Sequence, residues 1–69
     1  MINLIGDWKA LHNIYFRKGN REIMLPKGAI IAVISQHYRE GERVLIEMGP
    51  ANSDWFSYTM LTNNFERLI

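Results

Sequence analysis

The chain has 69 residues, of which 48% are hydrophobic, and it carries a formal net charge of +1 without any cysteine. A chain of this length folds as one domain around a small hydrophobic core. Its composition is not that of a disordered protein. The lack of cysteine excludes a disulfide-stapled secreted fold and a thiolate zinc site, and the balanced charge indicates neither a strongly acidic nor a strongly basic partner.

The sequence predicts no contact with a membrane. No apolar run approaches the roughly 20 residues that a membrane-spanning helix needs. Residues 1–7 have neither a basic region ahead of their apolar residues nor a small-residue cleavage motif, so they do not resemble a signal peptide. We therefore expect a cytoplasmic protein.

The first part of the chain predicts two strands joined by a turn. Alternate positions of residues 8–16 favour a strand weakly, and a helix is the competing prediction over residues 8–12. The turn at residues 17–21 contains a Gly-Asn pair, which adopts positive φ at little cost. Residues 22–25 then predict a short strand that ends at Pro26, because proline cannot donate a hydrogen bond to a sheet.

The strongest pattern in the sequence is an antiparallel hairpin. Residues 29–34 and 44–48 are rich in β-branched side chains, and they flank a short charged tip that contains Gly41. This arrangement is typical of two strands joined by a tight connection. The first run is apolar on both faces, which predicts a strand that is either central in its sheet or covered by a second layer.

The last third of the chain predicts a strand, a helical turn and a final strand. Residues 54–58 form the strand, and Ser57 or Thr59 would cap a helical turn over residues 60–63. Residues 65–69 would close the fold as a last short strand. Several short strands separated by turn signals predict a compact all-β barrel.

The order of these elements resembles the SH3 family of small barrels. Ala-Leu-His-Asn-Ile at residues 10–14 stands where those domains carry Ala-Leu-Tyr-Asp-Tyr, and residues 21–33 look like their Glu-Leu-Ser-Phe-x-x-Gly-Asp-x-Ile-x-Val segment. Residues 39–43 would form the distal loop. Asp-Trp-Phe at residues 54–56, with the elements that follow, looks like the Gly-x-x-Pro-x-x-Tyr-Val region. The resemblance covers residues 8–69.

The resemblance implies an all-β fold over residues 1–69, as one domain. The expected architecture is an SH3-like, five- or six-stranded, partly open barrel with one short helical turn near the C-terminus. SH3 domains bind proline-rich peptides between aromatic side chains. Here His12 and Ile14 stand at matching aromatic positions, only Tyr58 keeps an aromatic role, and the first loop is basic rather than acidic. We therefore expect no binding of proline-rich peptides.

The titratable residues predict no catalytic or metal-binding site. His12 and His37 are far apart in the sequence, and no spacing pairs a general acid with a general base. We expect neither enzymatic activity nor a small-molecule substrate, a metal or a cofactor.

An excess of apolar side chains favours protein binding as the function. Both faces of residues 29–34 cannot be buried inside one small barrel, and tryptophan and methionine suit recognition surfaces. The partner would be another protein or a second copy in a homodimer. By analogy of size and fold, the chain looks like a small accessory or inhibitor protein of a phage or mobile element. The predicted binding residues are Trp55, Phe56, Tyr58, Tyr38, Ile30 and Ile34.

The alternative is a nucleic-acid-binding barrel, such as a bacterial regulator. Cations cluster at two turns, and aromatic rings among cations can stack on bases while the cations contact phosphates. The tip charges largely cancel, which favours a merely solvated tip. The residues predicted for this alternative are Arg17, Lys18, Arg21, Arg39 and Arg43, with Trp8 or Tyr38 as the stacking ring.

Overall fold

The computed structural model describes residues 3–37, 43–49 and 52–68 of the chain, which form seven strands and one helix. The helix, α1, lies near the C-terminus, as the sequence predicts, and the all-β prediction is confirmed. The elements in chain order are β1 (Gly6–Ala10), β2 (Ile14–Lys18), β3 (Arg21–Leu25), β4 (Ile30–His37), β5 (Arg43–Glu47), β6 (Ser53–Ser57), α1 (Tyr58–Asn64) and β7 (Phe65–Arg67).

The described strands form two sheets rather than a closed barrel. The larger sheet has the order β6-β5-β4-β1-β7, and β2 and β3 form a two-stranded hairpin. Every pair of neighbouring strands is antiparallel. The predicted central hairpin is the β4–β5 pair, and its tip at residues 38–42 lies outside the described residues.

The described chain has more strands than the five or six expected, because the segment predicted as one strand over residues 8–16 forms two. β1 ends at Ala10, the chain bends at Leu11 and His12, and β2 begins at Ile14. The competing prediction of a helix over residues 8–12 is wrong. Trp8 and Ala10 instead continue the extended backbone, and both are buried by packing into the core.

One face of the larger sheet forms the core, and the β2–β3 hairpin and α1 cover it. Phe16 on β2 meets Phe56 on β6 edge to face, with ring centroids 5.0 Å apart, and Leu61 from α1 is fully buried. Sheets and helices are stable in this arrangement because each buries one apolar face against the other. The buried apolar residues are Leu4, Trp8, Ala10, Ile14, Leu25, Ile31, Val33, Val44, Ile46, Phe56, Leu61 and Phe65.

Hydrogen bonds and a cation–π contact hold the segment that precedes β1 against the sheet. The indole Nε1 of Trp8 donates to the carbonyl of Leu4 at 2.9 Å. The Arg67 guanidinium donates to the carbonyls of Asn3 and Ile5, and it lies 5.9 Å from the centroid of the Trp8 ring. These contacts hold Leu4 in the core at one end of the sheet.

The turn between β3 and β4 depends on Gly28. Its φ of +89° is a conformation that side-chain-bearing residues rarely adopt. The Gly28 amide donates to the carbonyl of Ala10 at 2.8 Å, and the Ala10 amide donates to the carbonyl of Ala29 at 2.9 Å. The turn thereby connects the end of β1 to the start of β4.

Helix α1 is short and depends on its cap and on one buried residue. The Ser57 hydroxyl accepts a hydrogen bond from the Met60 amide at 3.1 Å, which confirms one of the two predicted caps. An isolated helix of 7 residues is unstable in water, so packing must hold it in place. Leu61 is the buried residue of this helix.

We predict that Leu61→Ala destabilises the protein strongly, whereas Leu11→Ala has little effect. Leu61 is fully buried and Leu11 is 43% exposed, so the same substitution leaves a cavity only at Leu61. The expected loss at Leu61 is about 2–5 kcal/mol of the free energy of unfolding, which is comparable to the ~3–5 kcal/mol that a domain of this size has. Urea denaturation followed by circular dichroism measures both. Equal shifts of the two midpoints would contradict this account of the core.

Candidate functional site

The face of the larger sheet opposite the core carries several large apolar side chains among its polar residues, and it has no cover among the described residues. Its apolar side chains, which define what we call the outer face, are Ile30, Ala32, Ile34, Leu45 and Trp55. Ile30 is 54% exposed, Ile34 46% and Trp55 41%, while Ala32 and Leu45 are half-buried. A sheet face in contact with water is usually polar, so this face differs from what folding alone requires.

A β-bulge in β4 determines which side chains reach the outer face. Ala32 pairs with Glu47 and Ser35 with Leu45, and the register shifts between Val33 and Ser35. Ile34 is therefore an extra residue, and it is exposed. Because a bulge inserts one residue into one strand, the alternation of faces changes at this point.

Beyond the bulge, Gln36 lies on the core side and His37 on the outer side. Gln36 pairs with Val44, which is buried, and its Oε1 accepts a hydrogen bond from the Leu4 amide at 2.9 Å. His37 pairs with Arg43, and both are exposed. The bulge thus adds an imidazole to the outer face.

His37 and Trp55 meet above β5. Trp55 on β6 pairs with Leu45, and His37 on β4 pairs with Arg43, so the two rings reach across β5 from opposite sides. Their centroids are 5.0 Å apart with an interplanar angle of 74°, which is an edge-to-face contact. This contact orients the indole ring on the face.

The outer face carries opposite charges at its two ends. Along β5, Arg43, Leu45 and Glu47 alternate with the buried Val44 and Ile46. At the Glu47 end, Asp7 on β1 contributes a second carboxylate, because Asp7 and Glu47 are both cross-strand partners of Ala32. Within the described ranges, neither Arg43 nor Glu47 forms an ion pair, so both charges face water.

The residues predicted to bind a protein are only partly brought together. Trp55, Ile30 and Ile34 share the outer face. Phe56 is 8% exposed and belongs to the core, and Tyr58 is half-buried against that core at the start of α1. Tyr38 lies outside the described residues.

The cations predicted for nucleic-acid binding are divided between the two sheets. Arg17 lies 3.7 Å from Glu22, and Lys18 Nζ donates to the Ser53 carbonyl at 2.6 Å. Arg21 is exposed beside Lys18 on the β2–β3 hairpin, whereas Arg43 lies on the other sheet.

The other residues of that alternative do not complete a basic surface in the described chain. Arg39 and Tyr38 lie outside the described residues. Trp8 is 6% exposed, and its Nε1 is bonded to the Leu4 carbonyl. The structure therefore places the Trp8 ring in the core rather than among the cations.

Sequence reasoning missed three features of the outer face. It did not predict the contact between His37 and Trp55, and it did not assign Leu45 or Glu47 to the site. The alternation of Arg43, Leu45 and Glu47 with apolar residues was visible in the sequence, so this signal could have found both. The His37–Trp55 contact depends on the bulge and had no such signal.

In the described part of the chain, no three side chains of metal-binding type come close enough together to hold an ion. No helix there is long and apolar enough to cross a membrane. Comparisons of the chain with protein-family models, curated proteins and solved structures find no match.

We predict that Trp55 is the tryptophan accessible to a quencher and that Trp8 is protected. Trp55 is 41% exposed and Trp8 is 6% exposed, and these are the two tryptophans of the chain. Acrylamide should therefore quench part of the wild-type emission readily, and Trp55→Phe should remove that part. The matched variant Trp8→Phe should leave it in place, provided that circular dichroism shows it to be folded. Easy quenching of the emission that remains in Trp55→Phe would contradict the assignment.

Proposed function

We propose that this chain is a non-catalytic protein-binding module and that the outer face is its binding site. The observation that supports this most strongly is the group of exposed Ile30, Ile34 and Trp55 side chains on a regular sheet. Monomeric proteins rarely expose contiguous apolar patches larger than about a few hundred Å², and patches above that size mark interaction sites. Trp is also enriched among the residues that dominate interface energies.

The energy available from these three side chains is moderate. Complete burial stabilises a large apolar side chain by about 1.5–3 kcal/mol relative to full exposure. Since each of the three is about half exposed, a partner that covered them would gain on the order of 2–5 kcal/mol in total. Association costs several kcal/mol, so useful affinity also requires Leu45 and the polar residues at the edge of the face.

The preorganisation of the face favours binding, because less of this energy is offset by lost conformational entropy. Ile30 and Ile34 belong to a strand paired on both sides, and Trp55 is held by His37. Side chains that are ordered before binding lose less conformational entropy when a partner covers them.

We also propose a fold family, a compartment and a kind of target for the chain. The chain would be an SH3-like module that acts in the cytoplasm, and its lack of cysteine suits a reducing compartment. A small accessory or inhibitor protein of a phage or mobile element would use such a face to bind and block another protein. Nucleic-acid binding has less support, because Lys18 contacts the Ser53 carbonyl and Trp8 is in the core.

Photo-cross-linking in cells that produce the protein tests the proposal. Benzoylphenylalanine in place of Ile30 should form a protein adduct, because this position is 54% exposed on the outer face. The same probe in place of Tyr15, which is 73% exposed on the other sheet, should form none and is the matched control. Adding Trp55→Ser to the Ile30 probe should abolish the adduct. Equal adducts from both positions, or none from either, would contradict the proposal.

The nucleic-acid alternative is tested by titrating fluorescent oligonucleotides at two salt concentrations and reading anisotropy. We expect no salt-sensitive binding. Salt-sensitive binding that the combined Arg17→Glu, Lys18→Glu and Arg21→Glu variant abolished would support the nucleic-acid function instead, because counterion release makes phosphate contacts depend on salt.

A further inference from the structure

The charges on the outer side of β5 are self-complementary: a second β5 strand that runs in the opposite direction would place opposite charges face to face. Arg43, Leu45 and Glu47 point outward in this order, so a basic and an acidic group flank an apolar one. The four residue steps that separate Arg43 from Glu47 along the strand span about 13 Å, which is longer than one ion pair can bridge. Both charges are exposed, and each is fixed by its place in a strand that has neighbours on both sides.

Two copies of this face can stack with a two-fold axis that lies between them, at right angles to β5 and over Leu45. The two β5 strands then run in opposite directions. Arg43 of each copy faces Glu47 of the other, and the two Leu45 side chains face each other. A two-fold interface requires such self-complementarity, because the same patch supplies both sides.

The neighbouring strand β1 adds to the acidic end of the face. Asp7 lies near Glu47 on the far side of Ala32. Lys9 and Glu66 are cross-strand partners, so their charges balance each other at the edge of the face. A two-fold axis parallel to β5 would instead place Arg43 against Arg43 and Glu47 against Glu47. The charges therefore favour one orientation of the dimer.

We propose that the partner of the outer face is a second copy of this chain, paired antiparallel across β5. This inference rests on the proposed function, since it names the protein that the outer face binds. Trp55, Ile34 and Leu45 would supply the apolar centre, and the two Arg43–Glu47 pairs would set the register. Charged pairs at an interface give orientation and specificity more than raw affinity.

A stable dimer sets the area that each copy must bury. Standard interfaces bury about 800 Å² on each partner, which is roughly one sixth of the 4913 Å² of accessible surface of this chain.

A charge-swap experiment tests the proposal. Sedimentation velocity of the purified protein over a range of concentrations should show a dimer for the wild type. Arg43→Glu and Glu47→Arg should each weaken dimerisation at least about tenfold, because each places like charges together at both pairs. An equimolar mixture of these two variants should form a heterodimer, and the double variant should form a homodimer again. Arg17→Glu, on the other sheet, should leave the dimer unchanged.

The equimolar mixture of the two single variants distinguishes a disrupted interface from a loss of folding, because a misfolded variant would not regain a partner. A wild type that stays monomeric at every concentration would overturn the proposal, and so would single variants that dimerise normally or a mixture that does not pair. If the purified protein is monomeric while the Ile30 probe forms an adduct with a different protein, then the assignment of a second copy as the partner is wrong. The proposed function of the outer face stands in that case. If no adduct forms either, both proposals fail.

Discussion

The structure depends on the cover of one face of its larger sheet. The β2–β3 hairpin and α1 lie against the inner side of that sheet, and no described residue lies against the outer side. β4 shows the consequence most clearly, because Ile31 and Val33 fill the core while Ile30 and Ile34 face water. A polar residue at an exposed sheet position costs a small domain little, so folding does not explain these isoleucines. The protein binding that we propose would account for them, because a partner would remove their apolar surface from water.

The bulge in β4 and the pairing of β5 on both sides give this uncovered face a fixed arrangement of side chains. The bulge between Val33 and Ser35 turns His37 outward, where its ring meets Trp55. The hydrogen-bonded ladders on both sides of β5 fix where Arg43 and Glu47 stand. A surface fixed by backbone pairing keeps its geometry before a partner arrives, and it therefore loses little entropy on binding. The same ladders give the face a defined polarity, which a flexible loop could not.

Local pattern was enough to predict most of the fold and only part of the site. The β4–β5 hairpin, the Ser57 cap and the last strand follow from β-branched runs, turn residues and capping chemistry, all of which act between near neighbours. The boundary between β1 and β2 was missed, because a bend at an exposed Leu-His pair leaves no strong sequence signal. Trp8 was assigned to a nucleic-acid surface, yet it lies in the core. Its indole bonds the nearby Leu4 carbonyl, and its ring contacts Arg67 from a distant part of the chain, which local pattern could not predict.

We propose that the outer face binds protein, and in particular a second copy of this chain. A dilution series of the isotope-labelled protein, followed by the backbone amide signals in NMR spectra, tests this directly. We expect concentration-dependent shifts for residues of β4, β5 and β6, centred on Leu45 and Trp55, with the signals of Tyr15 and Met24 unchanged. Shifts confined to the β2–β3 hairpin would show that the outer face is not the binding surface. Spectra that do not change with concentration would contradict self-association and leave a different protein as the partner.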